Sequence, residues 1–303
     1  MKIKKDIEKF SNDYKISMNF NYSLKNYNWF NIGGKTKVFF KAETLNDLSK
    51  FMKLFGKKIN FFSLGAGSNI LVKDSGFDGV TIKLGKSFSN ISLLNNETII
   101  AGSAALDHQV SNFAKNNGIG GLEFLSCIPG SIGGGIRMNS GCYGTEFKDI
   151  LLSVQVIDNN GIIYTIPASK INFGYRKNNL SKDLIFLSAS LKGQKKIQKD
   201  IEEKIYLLKQ NKIKTQPSKI KTGGSTFKNP KNQTQRKVWE LINEIIPKNK
   251  IFGDAAISEK HSNFFVNKKN ATYDQMKQLI DFVCTKIEKE TGIKLELEIE
   301  IVG

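Results

Sequence analysis

The sequence predicts an α+β protein with more than one compact part. Three observations lead there. Stretches with apolar residues three and four apart are mixed along the chain with stretches of β-branched and aromatic residues, the two patterns that separate helix from strand. The chain has 303 residues, long for one domain, and its 40% hydrophobic and 10% aromatic content can fill real cores. A charged stretch at 195–212 reads as a connecting helix, so divisions are expected near residues 85 and 195, giving 1–85, 86–195 and 196–303.

In chain order, MKIKKDIEKFSNDY reads as a short amphipathic helix, and 28–42 as a turn followed by a strand. TLNDLSKFMKLFGKK has helical spacing and an N-capping candidate in Thr44. Residues 59–84 read as strand, glycine turn, strand, turn, strand. A strand at 97–102 precedes a helix from about Leu106, which Gly118 ends. LLSVQVIDNNGIIYTIP reads as a hairpin around Asn160-Gly161, and LIFLSASLKG as one more strand. After the connector come a glycine turn at 223–224, a helix QRKVWELINEII, a strand SNFFVN, a helix TYDQMKQLIDFVCTKIEKETG and a strand KLELEIEIVG.

Composition narrows the function classes. No 18-residue apolar run is present, and the N-terminal stretch lacks the apolar core and small-residue cleavage site of a signal peptide. Cys127, Cys142 and Cys284 are odd in number and lack CxxC spacing, which suggests reduced cytoplasmic thiols and no metal site. The formal charge of +18 suggests an anionic partner. Its lysines are scattered over predicted helix faces, and no nucleic-acid-reading motif accompanies them, so no nucleic acid and no membrane is expected as partner. Arginine occurs only at Arg137, Arg176 and Arg236, and a chain this rich in lysine can reserve it for places that need a planar fork.

Two glycine loops carry the functional signal. The first, Gly65, Ala66, Gly67, Ser68 and Asn69, follows a strand but lacks the third glycine and the helix of a dinucleotide fingerprint, and no GK[ST] makes it a P-loop. Its backbone N–H groups can still form an anion nest. In the second, CIPGSIGGG, Pro129 fixes its own φ, and Gly130, Gly133, Gly134 and Gly135 take side chains off one surface. Two such loops fit a long, phosphate-bearing cofactor laid against the backbone; close packing of two β-layers is the plainer alternative.

NWFNIGG, LGAGSNILV, GLEFLSCIPGSIGGGIRMNSGCYG, FGYR, GGSTFKNP, KHSNFFVN and GIKLELEIEIVG stand in this order from about residue 20 to the C-terminus. In them the chain resembles the UDP-N-acetylenolpyruvoylglucosamine reductase family. The resemblance implies an FAD-binding domain of the vanillyl-alcohol-oxidase type in two lobes, and a C-terminal α+β substrate-binding domain. It further implies reduction of the enolpyruvyl ether of UDP-N-acetylglucosamine enolpyruvate, with NADPH as electron source, by a cytoplasmic monomer serving peptidoglycan precursor synthesis. FAD would lie on the loops at Gly65–Asn69 and at Pro129, Gly130, Ser131, Gly133 and Gly134.

The resemblance also assigns roles. Arg176 would hold the substrate carboxylate as charge grows on it, Glu298 would stand beside that carboxylate, and Ser225 would give a proton to the α-carbon. Read alone, Glu298 is one of several alternating acids on a strand, and Ser225 a turn serine. Asn229, Lys228, Tyr175 and Lys214 (or Lys212) are the candidates for the UDP moiety. Cys127, Gly135 and Trp29 depart from the family's usual Gly, Ala and Thr; Cys127 is expected to pack. Only 48 residues separate Arg176 from Ser225, too few for the inserted tyrosine loop of some members, so the shorter, second type is expected. A flavin oxidase on the same scaffold and a basic nucleic-acid binder are the competing classes.

Overall fold

A computed structural model describes residues 2–303. The chain folds into two compact units. The first comprises the chain through Phe20, Lys37–Ala66 and Gly79–Asn211, and the second Asn21–Thr36, Gly67–Asp78 and Lys212–Gly303. The units therefore do not divide at the cuts expected near 85 and 195. The chain crosses between units inside the first glycine loop, between Ala66 and Gly67.

One four-stranded sheet has the order Met18–Ser23, Lys35–Ala42, Phe77–Leu84, Phe61–Leu64, the last two parallel. Helices Lys2–Asp13 and Leu45–Phe55 contribute Ile7, Phe10, Leu48, Phe51 and Met52 to the core that it shares with Phe40 and Ile82. Thr44 caps the second helix, its hydroxyl accepting from the Asp47 N–H at 3.1 Å. A five-stranded sheet of the first unit runs Ile163–Pro167, Leu151–Ile157, Ile185–Lys192, Thr98–Gly102, Ile91–Leu93. Its inner face packs Val154, Val156, Ala189 and Ala101 against Val110 and Ala114 of helix Asp107–Asn116 and against Phe147.

The hairpin around Asn160-Gly161 forms as expected, but Gly161 alone there has positive φ (75°), and the Asp158 carboxylate accepts from the N–H groups of Asn160 and Ile162. It is an Asx-stabilised turn rather than a two-residue Asn-Gly turn.

The second unit holds a four-stranded sheet, Lys221–Ser225, Phe264–Asn267, Ala255–Ile257, Ile251–Phe252. Helices Val238–Ile245 and Tyr273–Thr291 bury Leu241, Ile242, Leu279 and Val283 beside Phe30, Ile32, Leu71 and Phe265. Thr272 caps the long helix and Gly292 (φ 71°) ends it. Two expectations change here. Gly223 and Gly224 lie within a strand that carries a register shift before Ser225, not in a free turn. Of KLELEIEIVG only Glu300–Val302 is ladder, because its parallel partner Ile70–Val72 is three residues long.

Candidate active site

The first glycine loop joins strand Phe61–Leu64 to strand Ile70–Val72. Gly65 is exposed, and a Cβ there would stand 2.9 Å from Ser131 Oγ and 3.9 Å from Gly134 Cα, so the two loops come together at this point. Gly67 has another reason to be glycine: φ is 71°, and a Cβ would lie 2.0 Å from the Tyr27 carbonyl oxygen. The Trp29 N–H donates to the Gly67 carbonyl at 2.9 Å. Asn69 turns away from the loop: its side-chain amide donates to the Glu298 carbonyl at 2.9 Å.

In the second loop, four glycines are expected to clear one surface. The structure gives that task to Gly134, which is exposed and whose Cβ would meet nothing nearer than Ser131 Oγ at 3.6 Å. The others let protein approach protein. A Cβ on Gly130 would lie 2.7 Å from the Asp107 carboxyl, one on Gly133 3.0 Å from Ser103 Cβ, and one on Gly135 2.1 Å from the Phe147 ring. Gly133 also donates its N–H to the Ser103 carbonyl at 2.9 Å. Pro129 is exposed, and Ser131 stands at the N-cap position of the short helix Ile132–Arg137, whose glycines hide it from sequence reading. The Ser131 hydroxyl and both Asp107 carboxyl oxygens are buried without a hydrogen-bond partner. Burial pushes the Asp107 pKa well above the usual carboxylate range.

Arg176 lies in the turn between Phe173–Gly174 and Lys177–Asn178, in the left-handed region at φ 56°. Its guanidinium donates to the Gly141 carbonyl at 2.8 Å and the Asn139 carbonyl at 3.4 Å, stands 3.8 Å from a Glu146 carboxylate oxygen, and lies 5.1 Å from the Tyr175 ring centroid. Asn139, fully buried at φ 43°, ties this corner together. Its amide donates to Glu146 and to the Gly174 carbonyl, both at 3.0 Å, and its own oxygen accepts from the Lys148 N–H. Sequence reasoning misses Glu146 and Asn139; MNSGCYGTE offers a polar turn and no sign of what it orients.

In the second unit the segments that carry Ser225 and Glu298 are joined through the backbone one residue past Ser225. The Glu298 N–H donates to the carbonyl of Thr226, which follows Ser225, at 2.8 Å. The Lys228 N–H in turn donates to the Glu296 carbonyl at 2.8 Å, and Phe227 bridges Leu297. Glu298 is half-buried while Glu296 is exposed and paired with Lys228 at 3.4 Å. Gly224, just before Ser225, has φ 81° and open space where a side chain would be. Asn229 uses its side-chain oxygen to accept from the Val238 N–H at 3.0 Å, holding the start of a helix. Lys214 is exposed in helix Gln198–Thr215. Ser225, Glu298, Lys228, Asn229 and Lys214 thus belong to one unit, Arg176 and Tyr175 to the other. Half-buried His261 accepts the Asn263 N–H at 3.3 Å and packs on Phe264, and burial lowers its pKa.

Comparison with known proteins decides the family. The UDP-N-acetylenolpyruvoylglucosamine reductase of Pelagibacter ubique (strain HTCC1062) is 59% identical over 98% of this chain and 98% of its own length. This chain belongs to the UDP-N-acetylenolpyruvoylglucosamine reductase family. A reductase of that name from Rickettsia bellii (strain RML369-C) is 44% identical over 93% of the chain and 92% of its own. Residues 216–302 match the family model "UDP-N-acetylenolpyruvoylglucosamine reductase, C-terminal domain", and 36–166 the family model "FAD binding domain". The crystal structure of the Thermus caldophilus UDP-N-acetylenolpyruvylglucosamine reductase superposes with a TM-score of 0.81 at 30% identity, covering 95% of this chain and 99% of that one. The expected α+β fold, an FAD-binding domain followed by the family's C-terminal domain, is therefore the fold present.

The residues fit an FAD of this family. A cradle that a side chain at Gly65 or Gly134 would occupy lies against the Ser131 hydroxyl, the setting that a phosphate-bearing group needs for close backbone approach. Among the described residues no group of His, Cys, Asp and Glu could hold a metal ion, and no helix is long and apolar enough to cross a membrane. Cys127 is buried, its sulfur 3.7 Å from Ser126 Oγ.

Proposed function

We propose that the protein reduces UDP-N-acetylglucosamine enolpyruvate to UDP-N-acetylmuramate with electrons from NADPH, as the FAD enzyme of peptidoglycan precursor synthesis. The full-length likeness to reductases of that name carries the reading. Bound FAD supplies the hydride chemistry. Gly65, Ala66, Gly67, Ser68 and the Pro129–Gly134 loop hold it; Asn69 acts by fixing the backbone behind them.

The rest falls to side chains of this chain. Reduction of the enolpyruvyl double bond puts negative charge onto the carboxylate side of the ether. Arg176 answers with a fork-shaped cation whose direction Glu146 and two carbonyls set beforehand, so that little reorganisation accompanies the charge. Ser225 delivers the proton to the α-carbon, with open space beside it at Gly224. Glu298, half-buried, stands at the carboxylate and shares a proton with it. For the diphosphate, Lys214 and Lys228 act as point charges. Lys228, itself half-buried, gives up only a pair with exposed Glu296, a contact of the kind worth about 0–1 kcal/mol. Asn229 and Tyr175 complete the nucleotide contacts. The protein works as a cytoplasmic monomer, with neither nucleic acid nor membrane as partner.

The test is an absorbance spectrum of the purified protein, followed anaerobically through addition of NADPH and then of the enolpyruvyl sugar. Flavin bands that bleach and return support the reading. Bands that bleach and stay bleached reject this substrate, and bands indifferent to NADPH favour a flavin oxidase. A protein colourless even after added FAD refutes the flavoenzyme.

A further inference from the structure

The roles above leave out a lysine placed at the mouth of the first glycine loop. Lys83 lies on strand Phe77–Leu84, paired in parallel register with Leu64, the residue before that loop. Its ammonium donates to the Gly65 carbonyl at 2.8 Å. The peptide is planar and trans, so a Gly65 carbonyl turned toward Lys83 sends the Ala66 N–H the opposite way. One hydrogen bond thereby sets the direction of a donor in the loop assigned to the cofactor. The lysine is half-buried, and its pKa is lowered first by that burial and then by Lys41, on the neighbouring strand Lys35–Ala42. Lys41 has its own carboxylate, Glu43 at 2.6 Å, whereas the Lys83 hydrogen bond goes to a neutral carbonyl. Two cations are thus crowded beside a loop whose other side faces Ser131 and Gly134, an arrangement that an anion relieves.

We propose that Lys83, with Lys41 behind it, is the cationic wall of a dinucleotide-pyrophosphate seat: it holds the Gly65–Ala66 peptide with its N–H toward the ligand and offsets the phosphate charge. This rests on the FAD reading above. Lys83 is a positioning residue and takes no part in the chemistry.

FAD and riboflavin, which lacks the phosphates, are titrated by flavin fluorescence into the parent protein, Lys83→Met and Lys83→Arg after removal of flavin, at low and high salt. Lys83→Met is expected to weaken FAD about tenfold or more, to flatten its salt dependence, and to leave riboflavin unchanged. Lys83→Arg, which keeps the charge and a donor, is expected to recover most of the loss. An unchanged FAD affinity in Lys83→Met, or an equal loss for riboflavin, overturns the proposal, the second by showing a general disturbance of the fold. A parent protein that binds no FAD overturns the functional reading and this inference with it.

Discussion

The side-chain amide of Asn69 donates to the carbonyl of Glu298 at 2.9 Å, while the Asn69 carbonyl accepts from the Glu300 N–H at 2.8 Å. The last residue of the first glycine loop therefore grips the C-terminal strand at the carbonyl of the acid proposed for catalysis and again two residues beyond it. Both bonds lie within the second unit, in a half-buried place where an unmatched carbonyl is costly. Asn69→Ala keeps the backbone bond and loses the side-chain one. It is expected to cost about 1 kcal/mol, read as a lower urea midpoint at unchanged slope. Turnover should fall further than stability alone explains, since the Glu298 carbonyl loses the side-chain bond that helps to fix it. Full activity in a destabilised variant would separate Asn69 from the placement of Glu298.

Ser225→Ala separates the two half-reactions. In the proposed role the hydroxyl supplies one proton, late, to the enolpyruvyl sugar. Anaerobic stopped flow should show bleaching by NADPH at nearly the parent rate, and recovery with the sugar slowed by on the order of 10²–10⁴-fold. Equal loss in both phases contradicts the acid role.

Glu298→Gln should be worse than Glu296→Gln. Glu298 is half-buried and its N–H is tied to Thr226, beside Ser225. Glu296 is exposed, and its partner is Lys228. The expected kcat loss is on the order of 10²-fold or more for Glu298→Gln and small for Glu296→Gln, with any effect of the latter in KM. The reverse order would move the site along the strand by two residues.

What is legible from sequence is what local chemistry decides. Thr44 announces a helix start through a side-chain oxygen that satisfies the first turn, and Gly118 announces an end through positive φ. Strand Met18–Ser23 is not legible, since six residues with half-buried alternate positions carry a weak pattern. The interleaving of the units is also illegible. Phe30, Ile32 and Leu71 look like any apolar residues, and only packing assigns them to the core of the distant helices Val238–Ile245 and Tyr273–Thr291. Of the candidate residues, the motifs deliver Arg176, Ser225 and Glu298 as residue types. The groups that aim them, Glu146 and Asn139 for Arg176 and Asn69 for Glu298, act through hydrogen bonds that no spacing encodes.

Gly135 gives a test of packing. A Cβ there would lie 2.1 Å from the ring of fully buried Phe147. Gly135→Ala is expected to destabilise by about 1–3 kcal/mol through overpacking. Combining it with Phe147→Leu should make the two costs clearly less than additive, because the shorter side chain vacates the contact. Chemical denaturation of both single variants and the double checks this, and strict additivity would mean that the ring swings aside without cost.

Asp107 supplies a pH signature. Its folded pKa is raised by burial, while in the unfolded chain the carboxyl ionises at about pH 4. Between those two values the folded state retains a proton that the unfolded state has released. The group's contribution to stability is therefore intact below the unfolded pKa and is lost as pH rises toward the folded one. Asn has the same shape and never ionises. Asp107→Asn should melt a few degrees above the parent at about pH 7 and together with it at about pH 3.5, where both carry a neutral side chain. Thermal unfolding at the two pH values decides the matter. Equal melting at both would mean that the ionised carboxylate finds partners under the Gly130 loop, and that its burial costs the fold nothing.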